Sequence, residues 1–162
     1  LANDAAGKLD AIKDILIYTE ESKNLKFDFV LDLDVSSPMR VLDDLKKAYE
    51  IFIDNQKAQN IFSVNNAHKN PYFNMVEKND SGYYELSKKS KTVLSRQNAP
   101  KVYEMNASFY FYRRSFFDMK PLYLFSNSLI FEMQHTCFDL DEIIDFEFLE
   151  FLVVNNKLSF KL

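Results

Sequence analysis

Two aspartate pairs carry the strongest chemical signal in the sequence: Asp32 and Asp34 in Leu-Asp-Leu-Asp, and Asp139 and Asp141 in Phe-Asp-Leu-Asp. Two carboxylates spaced by one residue on an extended strand point to the same side. An oxygen-only pair of this kind suits Mg²⁺, which takes one or two carboxylates together with substrate phosphates and keeps several waters. The same residues also read as solvated strand-end acids, or as a helix cap followed by a first-turn acid. The sequence offers little else for chemistry. His68 and His135 lack a Cys or His partner at zinc-ligand spacing. Cys137 reads as a small buried apolar residue. With two glycines in the whole chain there is neither a nucleophile elbow nor a phosphate-cradling loop. Lys88, Lys89 and Lys91, with Arg96, could meet phosphates or carboxylates, or form a solvated loop.

The elements that must position these residues alternate. Leu9, Ile12, Ile15, Leu16 and Thr19 recur at spacings of three and four, which predicts an amphipathic helix from Ala5 to Ser22 with Asp4 as its cap. From Lys26 to Val35, Phe27, Phe29, Leu31 and Leu33 alternate with Asp28, Val30, Asp32 and Asp34, a strand of period two. Ser36-Ser37-Pro38 reads as a turn and helix start, and Leu42, Leu45, Ala48, Tyr49 and Phe52 line a second amphipathic helix. A short strand over Asn60 to Asn65 follows. Strand, helix and strand at this spacing predict a crossover unit and a parallel sheet, with Asp32 and Asp34 at the carboxyl end where such sheets bind ligands. The rhythm then breaks. Tyr72 to Glu77 and Tyr83 to Leu86 flank Asn79-Asp80-Ser81-Gly82, the pattern of a hairpin. Strands are predicted over Met105 to Arg113 and Ser128 to Met133, and a last helix, capped by Asp139 or Asp141, runs through Val154.

The bulk figures bound the function. The 162 residues fit one domain able to bury a sizeable core. A net charge of -4 gives no clustered basic surface for nucleic acid or for an anionic membrane. The longest apolar runs, such as Phe148 to Val154, fall far short of the roughly 20 residues of a membrane span. The opening residues do not read as a signal peptide. A lone cysteine cannot form an internal disulfide, which suits a reducing cytoplasm.

The wording and order of five segments go further. Leu-Asp-Leu-Asp-Val-Ser-Ser-Pro-Met-Arg (31–40), Asn-Pro-Tyr-Phe-Asn-Met-Val-Glu (70–77), Arg-Gln-Asn-Ala-Pro-Lys (96–101), Asn-Ala-Ser-Phe-Tyr (106–110) and Asp-Leu-Asp-Glu-Ile-Ile-Asp (139–145) resemble the acylneuraminate cytidylyltransferases. These are the CMP-sialic acid synthetases and their relatives acting on legionaminic and pseudaminic acids. The resemblance covers nearly the whole chain. It implies a Rossmann-like three-layer α/β/α nucleotidyltransferase with a mostly parallel sheet. Residues 1–162 would form one domain lacking its N-terminal part, with residues 70–100 as a protruding hairpin arm that dimerises. The family's phosphate loop would precede Leu1, so the segment alone is not expected to turn over.

By the same resemblance, Asp139 and Asp141 would hold Mg²⁺, and Arg96 would offset charge on the triphosphate or the sugar carboxylate. Asp34, Ser36, Ser37, Asn74, Gln97 and Asn106 would contact substrate. The implied reaction is attack by the anomeric hydroxyl of an acidic nine-carbon sugar on the α-phosphate of CTP, releasing pyrophosphate, in a cytoplasmic homodimer serving cell-surface polysaccharide synthesis. The chain departs from the family's wording at Ser95, Thr136 and Cys137, where basic residues and a serine are usual, and at His135, Phe138, Ile143 and Ile144. Two alternatives stay open: another sugar nucleotidyltransferase, of the Kdo or amino-sugar type, or a truncated, non-catalytic dimerisation module.

Overall fold

A computed structural model describes residues 7–89, 96–120, 124–125 and 127–161. Its elements are α1 (Lys8–Lys23), β1 (Phe29–Leu33), α2 (Leu42–Asp54), β2 (Asn60–Asn66), β3 (Val76–Lys78), β4 (Tyr84–Leu86), β5 (Tyr103–Arg113), β6 (Ser128–Glu132) and α3 (Ile143–Val154). Short 3₁₀ turns occupy Arg96–Asn98 and Arg114–Asp118.

The four-stranded sheet has the order β1-β5-β2-β6. β5 runs antiparallel to both β1 and β2, while β2 and β6 pair in parallel. The expectation of a mostly parallel sheet is therefore met only in part, because the sheet is mixed. β1 and β2 do run the same way, as a crossover through α2 requires, but they are not neighbours. The long aromatic strand β5 inserts between them. Local pattern could not reveal this, since period two is the same for either strand direction.

Side-chain alternation in β5 divides the core. Tyr110 and Tyr112 join Phe62, Val64, Leu16, Phe116 and Phe117 on the α1 side. Phe109 and Phe111 join Ile61, Ala48, Phe52, Ala58 and Met133 on the α2 side. Phe29 of β1 meets Tyr49 and Phe52 edge-on. The predicted hairpin is present as a separate two-stranded sheet, with Val76 paired to Leu86 and Lys78 to Tyr84. Its turn closes at Gly82, whose φ of 86° lies in the left-handed region that glycine enters without strain.

Three helix starts differ from expectation. α1 begins at Lys8 with Gly7 in the cap position, and Asp4 lies outside the described residues. α2 begins at Leu42 and not at Pro38. The Asp44 carboxylate accepts the Val41 N–H at 2.9 Å and so closes the first turn from inside the helix. α3 begins at Ile143, where Asp145 accepts the N–H groups of Asp141 and Glu142. Asp139 and Asp141 are thus released from capping.

Two charged groups anchor the frame. Arg113 donates from Nε to Ala58 O at 2.8 Å and from Nη2 to Phe52 O and Asn55 O, closing the carboxyl end of α2, and lies 4.9 Å over the Phe52 ring. A lysine cannot supply this planar fork. Arg113→Lys should therefore cost about 2 kcal/mol in urea unfolding, the scale of hydrogen bonds from a charged donor. Glu20, buried on α1, accepts from Arg114 Nε at 2.9 Å, Lys26 Nζ at 2.8 Å and Phe27 N. Arg114 and then Lys26, against the opposing effect of burial, hold its carboxyl at about 2 from an ordinary 4.5. A lowered folded-state pKa gives stability that is present above the unfolded value and lost as pH falls toward the folded one. The stability gap between wild type and Glu20→Gln should accordingly be constant above about pH 5 and close as pH drops toward 2, followed by thermal unfolding across that range.

Candidate functional site

The site forms where three chain segments leave the sheet at one end: the loop after β1, an irregular stretch of β5, and the loop after β6. Asp32 and Asp34 point to one side, as their spacing predicts, and both meet Lys8 at the start of α1. Lys8 Nζ is 3.0 Å from Asp34 Oδ2 in a hydrogen bond. It is also 2.9 Å from Asp32 Oδ2, an ionic contact without hydrogen-bond alignment, and lies 4.7 Å above the Tyr110 ring. Asp34 Oδ1 accepts the N–H and hydroxyl of Ser36. Burial works to raise the Asp34 carboxyl, but Lys8 and Ser36 together outweigh it and hold it below its usual range.

Arg40 fixes the loop that follows. Its Nη1 donates to the carbonyls of Asp34 (3.0 Å), Ser37 (2.5 Å) and Ser108 (3.2 Å). Ser37 is fully buried and donates from Oγ to Asn106 O at 2.8 Å.

Asn106 is the hub of the middle segment. Opposite β2 the pairing passes from Phe62↔Tyr110 to Val64↔Met105, so residues 106–109 bulge against Ser63. Ala107 takes φ 53° within this bulge, an uncommon conformation for a residue with a Cβ. Asn106 Oδ1 accepts from Ser63 Oγ at 2.6 Å and from Ser108 N at 3.2 Å, while Nδ2 donates to Asn65 Oδ1 at 2.7 Å. Asn65 Nδ2 in turn donates to Met133 O and His135 O on the loop leaving β6.

That loop carries Asp139 and Asp141. It is stitched to the first segment by Leu140 N donating to Ser36 O at 2.7 Å and by Cys137 Sγ 3.4 Å from Ser37 Oγ. The two aspartate pairs, 107 residues apart in sequence, thus become one acidic site. Burial raises the Asp139 carboxyl; the Ser37 hydroxyl opposes this, and the charges of Asp141 and Asp34 add to it. Asp139 Oδ1 is buried without a hydrogen-bond partner. A buried oxygen left so is costly unless some other group satisfies it. Among the described residues no group of three or more His, Cys, Asp or Glu could hold a metal alone. Asp139 and Asp141 supply two carboxylates, the number a hard cation such as Mg²⁺ takes from protein when phosphate oxygens and waters complete its shell.

The remaining predicted residues lie on the hairpin side. Asn74 Oδ1 accepts the Asn70 N–H at 2.6 Å, and Asn70 Nδ2 reaches Pro100 O. These residues and His68, Phe73 and Lys101 border a cleft of about 240 Å³. Gln97 is exposed in its 3₁₀ turn. The side chain of Arg96, and Lys91 with it, lie outside the described residues. No hydrogen bond joins Asn74 to Asp34, Ser37 or Asp139. Sequence reasoning missed Lys8, Arg40 and Asn65. Arg40 stood inside a quoted segment, whereas Lys8 and Asn65 carry no spacing signal.

No family model matches the chain. Two relatives do. One, named post-translational flagellin modification protein B, from Campylobacter coli, is 38% identical over 162 residues, covering 99% of this chain and 68% of its own length. The other, named CMP-N,N'-diacetyllegionaminic acid synthase, from Campylobacter jejuni subsp. jejuni serotype O:2, is 38% identical over 160 residues, covering 98% of this chain and 67% of its own. The chain belongs to the acylneuraminate cytidylyltransferase family. Membership in this nucleotidyltransferase family agrees with a site built largely of carboxylates, hydroxyls and amides. No helix among the described residues is long and apolar enough to cross a membrane.

Proposed function

We propose that this protein transfers CMP from CTP to a nonulosonic, sialic-acid-like sugar, releasing pyrophosphate. The observation that carries the reading is the union of Asp34, Asp139 and Asp141 in one site, fastened by the Ser36–Leu140 backbone bond, with an unsatisfied Asp139 oxygen. Family membership and the synthase name of one relative support it.

Phosphoryl-type transfer needs positioning and charge neutralisation more than covalent chemistry. Asp139 and Asp141 would hold Mg²⁺. Bound there, the metal would neutralise phosphate charge and favour ionisation of the attacking hydroxyl. Asp34 and Ser36 would receive sugar hydroxyls, with Lys8 as a cation beside them for the sugar carboxylate or the phosphates. Ser37 and Asn106, both buried, would hold the shape of the binding loops through the hydrogen bonds they make there. Asn74 and the cleft at the hairpin base are the proposed sugar-side wall, with Gln97 and Arg96 nearby in sequence. A homodimer through the hairpin is supported by the exposed Tyr83, Tyr84 and Val76 on that small sheet. Helices on opposite sheet faces support a Rossmann-like frame.

Incubating the intact protein with CTP, Mg²⁺ and separate sialic, legionaminic, pseudaminic and Kdo sugars tests the reading, with the products analysed by mass spectrometry. A CMP-sugar with one of the first three is expected. Product with Kdo alone would move the enzyme to the neighbouring sugar class.

A further inference from the structure

His135, in the loop after β6, has no part in the proposed reaction and is largely shielded from solvent. Its Nε2 lies 2.8 Å from Asp44 Oδ2, and each side chain is 11% exposed. The same Asp44 oxygen accepts the Val41 N–H at the start of α2. His135 Nδ1 faces Thr136 O at 3.1 Å, and the Phe160 ring lies over the imidazole with centroids 4.0 Å apart. Its backbone carbonyl is held by Asn65. One end of this clasp is therefore the helix that follows the Asp34–Arg40 loop. The other lies four residues before Asp139. The loop's ties to β2 and to the Asp34 loop are bonds between neutral groups, and this one pairs an imidazole with a carboxylate largely shielded from water, where such contacts are strongest.

We propose that the His135–Asp44 pair is a positioning clasp that sets the Asp139–Asp141 loop against the Asp34 loop, with His135 as a positioning residue. The inference rests on the proposed function for its kinetic consequence but not for its structural one. A clasp of this kind fixes where the two carboxylates stand, so its loss should weaken the divalent-cation site before it affects nucleotide or sugar binding elsewhere. Asp44 also caps α2, so the diagnostic substitutions are at His135. Alanine removes the contact, whereas a glutamine amide nitrogen can occupy the place of Nε2.

The test uses the intact protein and three readouts: Mn²⁺ binding by electron paramagnetic resonance with CTP present, amide exchange of residues 136–141, and thermal unfolding. His135→Ala should weaken Mn²⁺ binding about tenfold and speed exchange in 136–141, and His135→Gln should restore most of both. The same variants should raise the Mg²⁺ concentration for half-maximal CMP transfer in parallel, with little change in KM for CTP. A His135→Ala protein that melts earlier yet keeps Mn²⁺ affinity and loop exchange unchanged would overturn the clasp, as would failure of glutamine to restore either. Absence of CMP transfer by the wild type would refute the proposed function, and the binding and exchange readouts would still decide the clasp.

Discussion

Asp139→Asn and Asp141→Ala should each lower CMP-sugar formation at least a hundredfold while leaving the fold intact. Asp139 is held in an unfavourable state in the free protein, because burial and the neighbouring Asp141 and Asp34 charges all oppose its ionisation. A group whose folded-state pKa is raised costs stability wherever the unfolded chain would carry the charge, that is, above its unfolded value. Replacing the carboxylate by an amide removes that cost. Asp139→Asn should therefore melt at or above the wild-type temperature at pH 7 and be nearly inactive, the combination expected of a site strained for function. Calorimetry and a pyrophosphate-release assay check it together. An inactive variant that also melts much earlier would mean that Asp139 is a structural acid, and near-normal activity at saturating Mg²⁺ would remove both aspartates from the reaction.

Asn106→Leu should be the most destabilising single substitution near the site, by about 3–5 kcal/mol. The side chain is 5% exposed and satisfies Ser63 Oγ, Asn65 Oδ1 and Ser108 N at once. Leucine would leave Ser108 N and the half-buried Asn65 Oδ1 without this partner, at about 1–3 kcal/mol each, while Ser63 Oγ keeps its bonds to Phe109 N and O. It would also release Asn65 from its place under the Met133 and His135 carbonyls. Asn106→Asp keeps the acceptor and loses the donors toward Asn65 Oδ1 and Met133 Sδ, so it should fall between wild type and leucine. Urea unfolding of both variants measures the series. A loss under 1 kcal/mol for leucine would show that the bulge is not held by this amide.

How far the sequence discloses this arrangement depends on the range of the interaction. The hairpin was legible because Asn79 to Gly82 dictates a turn locally, and α2 because its apolar stripe repeats over 13 residues. The strands were legible as strands, yet their order was not. Nothing in Met105–Arg113 says that it will insert between β1 and β2, since that depends on which aromatic faces meet across the whole sheet. Helix starts were misplaced wherever the closing group lies inside the helix, as Asp44 and Asp145 do. The aspartate pairs were visible by spacing, and their functional assignment came from resemblance. Their union was not visible, because it depends on contacts 69 to 104 residues apart, such as Ser37 with Asn106 and Ser36 with Leu140. The buried hydrogen bonds of Asn106 and Ser37 were hidden for the same reason, although both residues stood inside segments matched to the family.

Transfer of a CMP group to a sugar can be followed by isotopic placement. The intact protein is incubated with Mg²⁺, diacetyllegionaminic acid and CTP labelled with ³²P at either the α or the γ phosphorus. The α label should move into a new sugar nucleotide while γ label appears only in pyrophosphate. Label from the γ position on the sugar, or α label found solely in free CMP, would contradict such transfer.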